Sequence, residues 1–252
     1  MSKEVVFISG ATSGIGRATA VLLSKHKYRL ILAGRRKERL AELQTTLGKN
    51  TEVRTLAFDI TDKNALNLAF DSLPTEWRAI DILINNAGNA HGLDPIQDGS
   101  IADWDAMIDI NVKGLLYLSK RVMPNMVERR KGHIINIGSI AGKEVYPNGN
   151  VYCASKYAVE AITQGMRLDL NKHGVKVSAI NPGLVETEFS EVRFKGDKER
   201  ADSVYKGYSP LLPNDIAELI HFVVTRPKHV NIADLLVLPT DQASSTIVNK
   251  KL

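Results

Sequence analysis

The sequence predicts an α/β protein, a single domain built on one doubly wound parallel sheet with helices on both faces. Short, continuous apolar runs recur along the chain, as strands buried on both faces require. Stretches long enough for helices of several turns separate them, the pattern of right-handed βαβ units. No linker, low-complexity stretch or internal repeat divides the 252 residues, a length that fits one large α/β unit.

The elements follow in order. Residues 5–8 (Val-Val-Phe-Ile) form the first apolar run, ending at Ser9-Gly10. Further strands are expected at 30–33, 53–58, 80–84, 134–137, 175–180 and 235–238. Helices are expected at 15–26, 37–47, 63–73, 101–129, 151–172 and 215–225. Thr61-Asp62 supplies a helix start before an apolar-periodic stretch, and Gly48 and Gly174 follow helix-like segments. Residues 182–213 read as one long irregular stretch of balanced charge. A stretch of this kind inside a compact domain is a functional lid or a disordered segment, and a substrate lid is expected at about 184–212.

Composition excludes several classes. With 44% hydrophobic residues the chain is globular rather than disordered. Cys153 is the only cysteine, so no disulfide forms within the chain, and the usage suits a reducing compartment. The six histidines have no clustered ligand spacing, and no metal site is expected. No apolar run approaches the roughly 18–20 residues of a membrane span. The apolar stretch before Ser9-Gly10 is too short for a signal-peptide core. The terminal Lys250-Lys251-Leu252 lacks the leading serine of a peroxisomal address. A cytoplasmic protein that binds no membrane is therefore expected.

Lys and Arg number 33 against 28 Asp and Glu, a net charge of +5. The excess is not organised for nucleic acid. Basic clusters at Arg35-Arg36-Lys37-Arg39 and Arg129-Arg130-Lys131 are isolated, and no aromatic residues interleave with them as a base-stacking platform.

The segment Ser9-Gly10-Ala11-Thr12-Ser13-Gly14-Ile15-Gly16 joins the first strand to the first helix. Glycines at 10, 14 and 16 allow a tight turn, close approach of backbone to a pyrophosphate, and tight helix–strand packing. The helix N-terminus adds free N–H groups and partial positive charge. The spacing is G-x-x-x-G-x-G, and there is no Gly-Lys-Ser/Thr ending of a P-loop. Three glycines could simply form a strand-to-helix turn, but their place after the first strand favours a dinucleotide-binding turn of a Rossmann fold. The second strand ends Ala33-Gly34-Arg35-Arg36, without the acid that an NAD site places at the adenosine ribose. Guanidinium meets a 2′-phosphate with charge-assisted, bidentate bonds, so the tip favours NADP. For Arg36 and Arg39 the alternative is a solvated, basic helix start.

Tyr152-Cys153-Ala154-Ser155-Lys156 places a phenol and an ammonium one helical turn apart on one face. A free tyrosine ionises near pH 10, so bringing it toward 7 requires about 4 kcal/mol of preferential phenolate stabilisation. Lys156 and an oxidised nicotinamide can share that task. Ser139 closes the preceding strand, so all three should reach the carboxyl edge of the sheet, where ligands bind.

With these residues the chain resembles the classical short-chain dehydrogenase/reductase family over its whole length. The matching positions are the Ser9–Gly16 motif, Asn85-Asn86-Ala87-Gly88, Asn111, Ser139, Tyr152, Lys156 and Pro182-Gly183, with Ser9 where many members have Thr. The resemblance implies a tetrad. Tyr152 is the general acid or base, Ser139 binds the substrate oxygen, and Lys156 holds the nicotinamide ribose. Asn111 anchors a water that connects Lys156 to solvent. NADP is then expected against Gly10, Thr12, Ser13, Gly14, Ile15, Gly16, Arg35, Arg36, Asp59, Ile60, Asn86, Ala87, Gly88, Tyr152, Lys156, Pro182, Gly183, Val185 and Thr187. Asp59 would meet the adenine and Thr187 the carboxamide, although Thr187 also reads as an ordinary loop hydroxyl. A homotetramer is implied, paired through the helices at 101–129 and 151–172.

A narrower resemblance covers residues 72–77, 133–139, 188–197 and 227–232. These stretches look like the NADP-dependent 3-hydroxy-acid dehydrogenases, whose substrates include L-serine, L-allo-threonine, 3-hydroxyisobutyrate and 3-hydroxypropionate. Such substrates carry a carboxylate that a lid cation can bind. Arg193 is the first candidate and Lys195 the second, with a solvated lid arginine as the alternative for Arg193. Substrate contacts are thus expected from Ser139, Tyr152 and Arg193. The alternative activity is a short-chain NADPH-dependent reductase of another ketone or aldehyde. A protein that binds NADP without turnover is disfavoured, because Tyr152 and Lys156 are both present. Cys153, Trp77 and Trp104 read as packing residues, and His91 as a loop residue.

Overall fold

Seven parallel strands form one sheet in the order β3-β2-β1-β4-β5-β6-β7. They are β1 (Val5–Ser9), β2 (Arg29–Gly34), β3 (Val53–Ala57), β4 (Ile82–Asn85), β5 (Gly132–Ile137), β6 (Val175–Pro182) and β7 (Asp234–Val237). The computed structural model describes residues 4–251, so the reading of the extreme N-terminus falls partly outside the described residues, as does Leu252 of the C-terminal tripeptide. All seven expected strands are present, with ends displaced by a few residues.

The continuous apolar runs serve both faces at once. Along β1, Val5 and Phe7 enter one core, while Val6 and Ile8 enter the other. The period-two alternation of a strand thus supplies two hydrophobic layers from one run. Helix α1 (Gly14–Lys25) places Ala20 and Leu23, and α2 (Lys37–Leu47) places Leu40, Leu43 and Leu47, against the second face. α9 (Pro213–Val224) joins them with Ile216, Ile220 and Val223. The first face is covered by α3 (Lys63–Asp71), α5 (Leu115–Arg129) and α6 (Asn150–Leu170). Asp62 caps α3 by accepting from the N–H groups of Asn64 and Ala65. Trp77 is buried at the edge of the first face under the Arg29 guanidinium, 4.1 Å from its ring centroid.

Two segments differ from the sequence expectation. The helix expected at 101–129 runs without interruption over those residues, but as α4 (Ile101–Ile108), a π-helical Asp109–Gly114, and α5. The π-helical turn covers only six residues, too few for its wider repeat to show as a period of its own; such slips concentrate at functional sites. The stretch 182–213 is not wholly irregular. It carries α7 (Phe189–Arg193) and α8 (Lys198–Ser203), too short for periodicity to register, and Val185 bridges Leu211.

The strand order reverses between β1 and β4, on either side of which the connections run in opposite directions. A crevice therefore opens at their carboxyl ends, the place where doubly wound sheets bind ligands. Among the described residues no helix is long and apolar enough to cross a membrane.

Candidate active site

A cavity of about 550 Å³ fills that crevice. Its floor is the turn after β1. Gly10 and Gly14 sit at φ +64° and +49°, in the left-handed region that glycine occupies without a steric penalty. A Cβ on Gly10 would come within 3.0 Å of Ala87 Cα, and one on Gly14 within 3.2 Å of the Thr187 methyl. Ser13, the N-cap residue of α1, makes no side-chain cap, which leaves the first-turn N–H groups directed at a ligand. These features fit a bound pyrophosphate.

The turn is tied to the strand beside it. Ser9 Oγ accepts from the N–H groups of Asn86 (3.1 Å) and Ala87 (3.0 Å). Asn86 Nδ2 donates back to the carbonyls of Ser9 (2.9 Å) and Gly10 (3.2 Å). Asn85 crosses to Ser119 and to Asn136 on β5. The hydroxyl at position 9 and the two asparagines therefore fix the separation of the crevice walls.

At the adenosine end, Arg35 is exposed and 3.7 Å from Asp59 Oδ2, while Asp59 Oδ1 caps Thr61. Arg36 is committed elsewhere. Its Nε donates to Thr12 Oγ1 (3.1 Å) and its Nη1 to Glu188 Oε2 (2.8 Å), and Arg39 takes the other Glu188 oxygen. Burial pushes the Glu188 carboxyl up, but these two hydrogen-bonded guanidiniums outweigh it and hold the group below the usual carboxylate range. Of the paired arginines, Arg35 is the freer. Sequence reading missed the Glu188 clamp, because nothing local links residues 152 positions apart. Gly34 gives its space to Thr12, whose methyl lies 3.1 Å from a Cβ built there.

At the opposite end, Ser139, Tyr152 and Lys156 line one wall. Lys156 Nζ donates to the Ile137 carbonyl (3.0 Å) and lies 6.0 Å from the Tyr152 ring centroid. Burial lowers the Lys156 ammonium to about 8, with Glu160 opposing the drop. The Tyr152 phenol moves against the sequence expectation. Burial pushes it above its usual range, the neighbouring Tyr146 adds to this, and Ser139 and Arg193 pull it back only in part. The protein's own groups therefore keep Tyr152 protonated, the form a general acid needs. Asn111 does not line the cavity. It sits behind Gly88 in the π-helical turn, bonded to both the N–H and the carbonyl of Asn89 and to Ser155 Oγ.

The remaining expected positions reach the cavity: Thr12, Ile15, Ile60, Ala87, Pro182, Gly183 and Val185 line it, and Gly16 packs beneath it. Thr187 Oγ1 accepts from the Phe189 N–H. Residues 184–212 cross above: Phe189 tilts against the Tyr152 ring at 5.6 Å, and the Arg193 guanidinium lies 5.5 Å from both the Tyr152 and Tyr146 ring centroids. Arg193 is held there by Nε to the Gly92 carbonyl (3.1 Å), and its own carbonyl accepts from the Gly92 N–H. Lys195, the second candidate, instead pairs with Asp103 at 2.9 Å. Tyr146 and Phe189 carried no motif, and only the fold brings them to Tyr152. Cys153 is fully buried beside them as packing, and burial lowers His91. Among the described residues no group of three or more His, Cys, Asp or Glu could hold a metal ion.

A doubly wound sheet with a glycine cradle at its switch point, facing a serine, a tyrosine and a lysine, defines a dinucleotide-dependent oxidoreductase site. The short chain dehydrogenase family matches residues 4–198, and the chain belongs to it. It is 46% identical to an NADP-dependent 3-hydroxy acid dehydrogenase of Salmonella typhi over 240 residues, 95% of this chain and 96% of that protein. It is 44% identical to sulfoacetaldehyde reductase 2 of Chromohalobacter salexigens, with 96% of each chain covered. Its structure superposes on a closed form of serine dehydrogenase complexed with NADP+ with a TM-score of 0.92 at 43% identity, covering 98% of this chain and 100% of the other.

Proposed function

We propose that the protein is an NADP-dependent oxidoreductase that interconverts small 3-hydroxy acids and their 3-oxo acids or semialdehydes. The observation that carries this reading is the seat of Arg193, a lid cation held by Gly92 with its guanidinium 5.5 Å from the Tyr152 ring centroid. The kinship with 3-hydroxy acid and serine dehydrogenases supports it.

NADPH, when bound, supplies the hydride to the carbonyl carbon. Gly10, Thr12, Ser13, Gly14 and Ile15 would hold its phosphates, Arg35 its 2′-phosphate, and Lys156 its nicotinamide ribose. Arg193 would take the substrate carboxylate in a charge-assisted contact, with the Tyr146 hydroxyl beside it. Ser139 then donates a hydrogen bond to the carbonyl oxygen and stabilises the charge growing there. Tyr152 delivers a proton to that oxygen as the alcohol forms, and in oxidation takes it back. The buried Lys156 ammonium favours the phenolate left behind. Asn111 holds the Asn89 backbone against Ser155, in position to order a proton path to Lys156. Residues 184–212 act as the lid that brings Phe189 and Arg193 over the reacting centre.

A second reading is reduction of another small aldehyde. A guanidinium binds a sulfonate by the same geometry as a carboxylate, and one relative is a sulfoacetaldehyde reductase. Exposed Leu116, Tyr157 and Leu168 on α5 and α6 support a homotetramer paired through those helices.

The cofactor assignment is tested at Arg35. Replacing it with Ser removes the guanidinium left open at the adenosine end and should raise KM for NADPH about 10- to 100-fold, the worth of one charge-assisted phosphate contact. KM for NADH should change little. Equal losses with both cofactors would contradict a 2′-phosphate contact at Arg35.

A further inference from the structure

Behind the cavity wall, four polar side chains outside the cavity connect Ser139 to the helical turn after Lys156. The Ser139 N–H donates to Asn181 Oδ1 at 3.1 Å. Asn181 is fully buried on β6, and its Nδ2 donates to Asp234 Oδ1, at the start of β7, at 2.6 Å. Asp234 Oδ2 accepts from Lys143 Nζ at 2.6 Å, and the same ammonium reaches Glu160 Oε2 at 2.7 Å. Glu160 is buried on α6, one turn beyond Lys156. Gly138 makes room for this arrangement. A Cβ there would collide with Asn181 Oδ1 and stand 3.2 Å from Glu160 Oε1.

One ammonium shared between two carboxylates leaves this cluster with a net negative charge next to the catalytic helix. Lys143 and Asp234 are partly exposed, so the cost of burying charge falls on Glu160, where an apolar side chain would serve packing as well or better. The cluster is also connected to both catalytic partners: at one end it holds the Ser139 backbone, and at the other it stands beside Lys156. From this geometry we infer that Glu160, braced by Lys143 and Asp234, is a positioning residue for the reaction. It acts on Lys156 from one helical turn away, while the same brace aims Ser139 through Asn181. The inference rests on the acid/base reading of Tyr152 and Lys156.

The groups facing Lys156 are few. On β5 the Ile137 carbonyl accepts from it, and from the π-helical turn Asn111 Oδ1 lies close by across Gly88. On α6 itself it has Tyr152 on one side and Glu160 on the other. The nearest further cations in these contacts are Arg193, over the Tyr152 ring, and Lys143, bound to Glu160. Glu160 is thus the anion that opposes the loss of the Lys156 proton on burial. Neutralising it should make that proton leave at lower pH. Neutralising Lys143 leaves Glu160 less compensated and should have the opposite sign.

The test uses Glu160→Gln and Lys143→Gln in the intact enzyme, with two readouts. One is the alkaline limb of kcat/KM for aldehyde reduction. The other is the pH midpoint for acetylation of Lys156 by acetic anhydride without cofactor, read by peptide mass spectrometry. E160Q should move both midpoints down by about one pH unit, the effect of one charge acting through protein of effective dielectric near 20. K143Q should move both up, and Glu160→Asp should restore the normal position. Lower rates with unmoved midpoints, or shifts of the same sign in both variants, would overturn the inference. Should E160Q fail to fold, the sign in K143Q decides alone. Failure of the underlying acid/base reading is distinguishable: the acetylation midpoints would still move, while loss of the Tyr152 hydroxyl would leave turnover intact.

Discussion

A Tyr152→Phe variant should retain NADPH binding within a few-fold and lose about 10³- to 10⁴-fold in kcat for carbonyl reduction, the upper range for a general acid. The hydroxyl is the only group removed. The ring keeps its packing on Phe189 and its place beneath Arg193, so the cavity should keep its shape. The proposed acid role draws on the local environment. Burial, with Tyr146 beside it, holds the phenol protonated, and the Lys156 ammonium lies 6.0 Å from its ring centroid, where the proposed mechanism has it favour the phenolate. Steady-state rates combined with NADPH fluorescence titration separate the two effects. Turnover within tenfold of the wild type would remove Tyr152 from the chemical step.

Replacing Arg193 with Met should raise KM for a 3-hydroxy acid about 100-fold, because a hydrogen bond to a charged group contributes about 1.5–3 kcal/mol. An uncharged alcohol of similar size should be affected by less than about threefold. Methionine keeps much of the side-chain volume over the Tyr146 and Tyr152 rings, so packing changes little. The hydrogen bond from the Gly92 N–H to the Arg193 carbonyl survives the substitution and should keep α7 seated. The split between the two substrates is the informative quantity. Equal losses on both would mean that Arg193 holds the lid rather than the substrate.

The strands were legible because a parallel strand buried on both faces is a continuous apolar run, and such runs occur in this chain at the right intervals. The glycine cradle and the Tyr152–Lys156 pair were legible because their chemistry is local: a turn into a helix, and two side chains one turn apart. What escaped was non-local or conformational. The Glu188 clamp joins the lid to α2 through Arg36 and Arg39, and no spacing rule encodes it. Phe189 meets Tyr152 only through the fold of residues 184–212, and Tyr146 reaches it through a turn before α6 that no motif marks. The π-helical turn at Asn111 is six residues long, too short for its change of hydrogen-bond register to show in the apolar pattern. The direction in which the Tyr152 phenol is displaced depends on how deeply these neighbours bury it, so the sequence pair alone suggested the opposite sign. Lys195 had the same charge and lid position as Arg193, yet Asp103 claims it.

The most direct measurement is a matrix of initial rates with purified protein. It crosses NADP+ and NAD+ with L-serine, L-allo-threonine, 3-hydroxyisobutyrate and a simple secondary alcohol, with sulfoacetaldehyde and NADPH run in the reducing direction. The proposed function predicts a kcat/KM at least about tenfold higher with NADP+ than with NAD+, as one 2′-phosphate contact provides. It also predicts a clear preference for the 3-hydroxy acids over the uncharged alcohol. A preference for NAD+, or equal rates with charged and uncharged substrates, would contradict it.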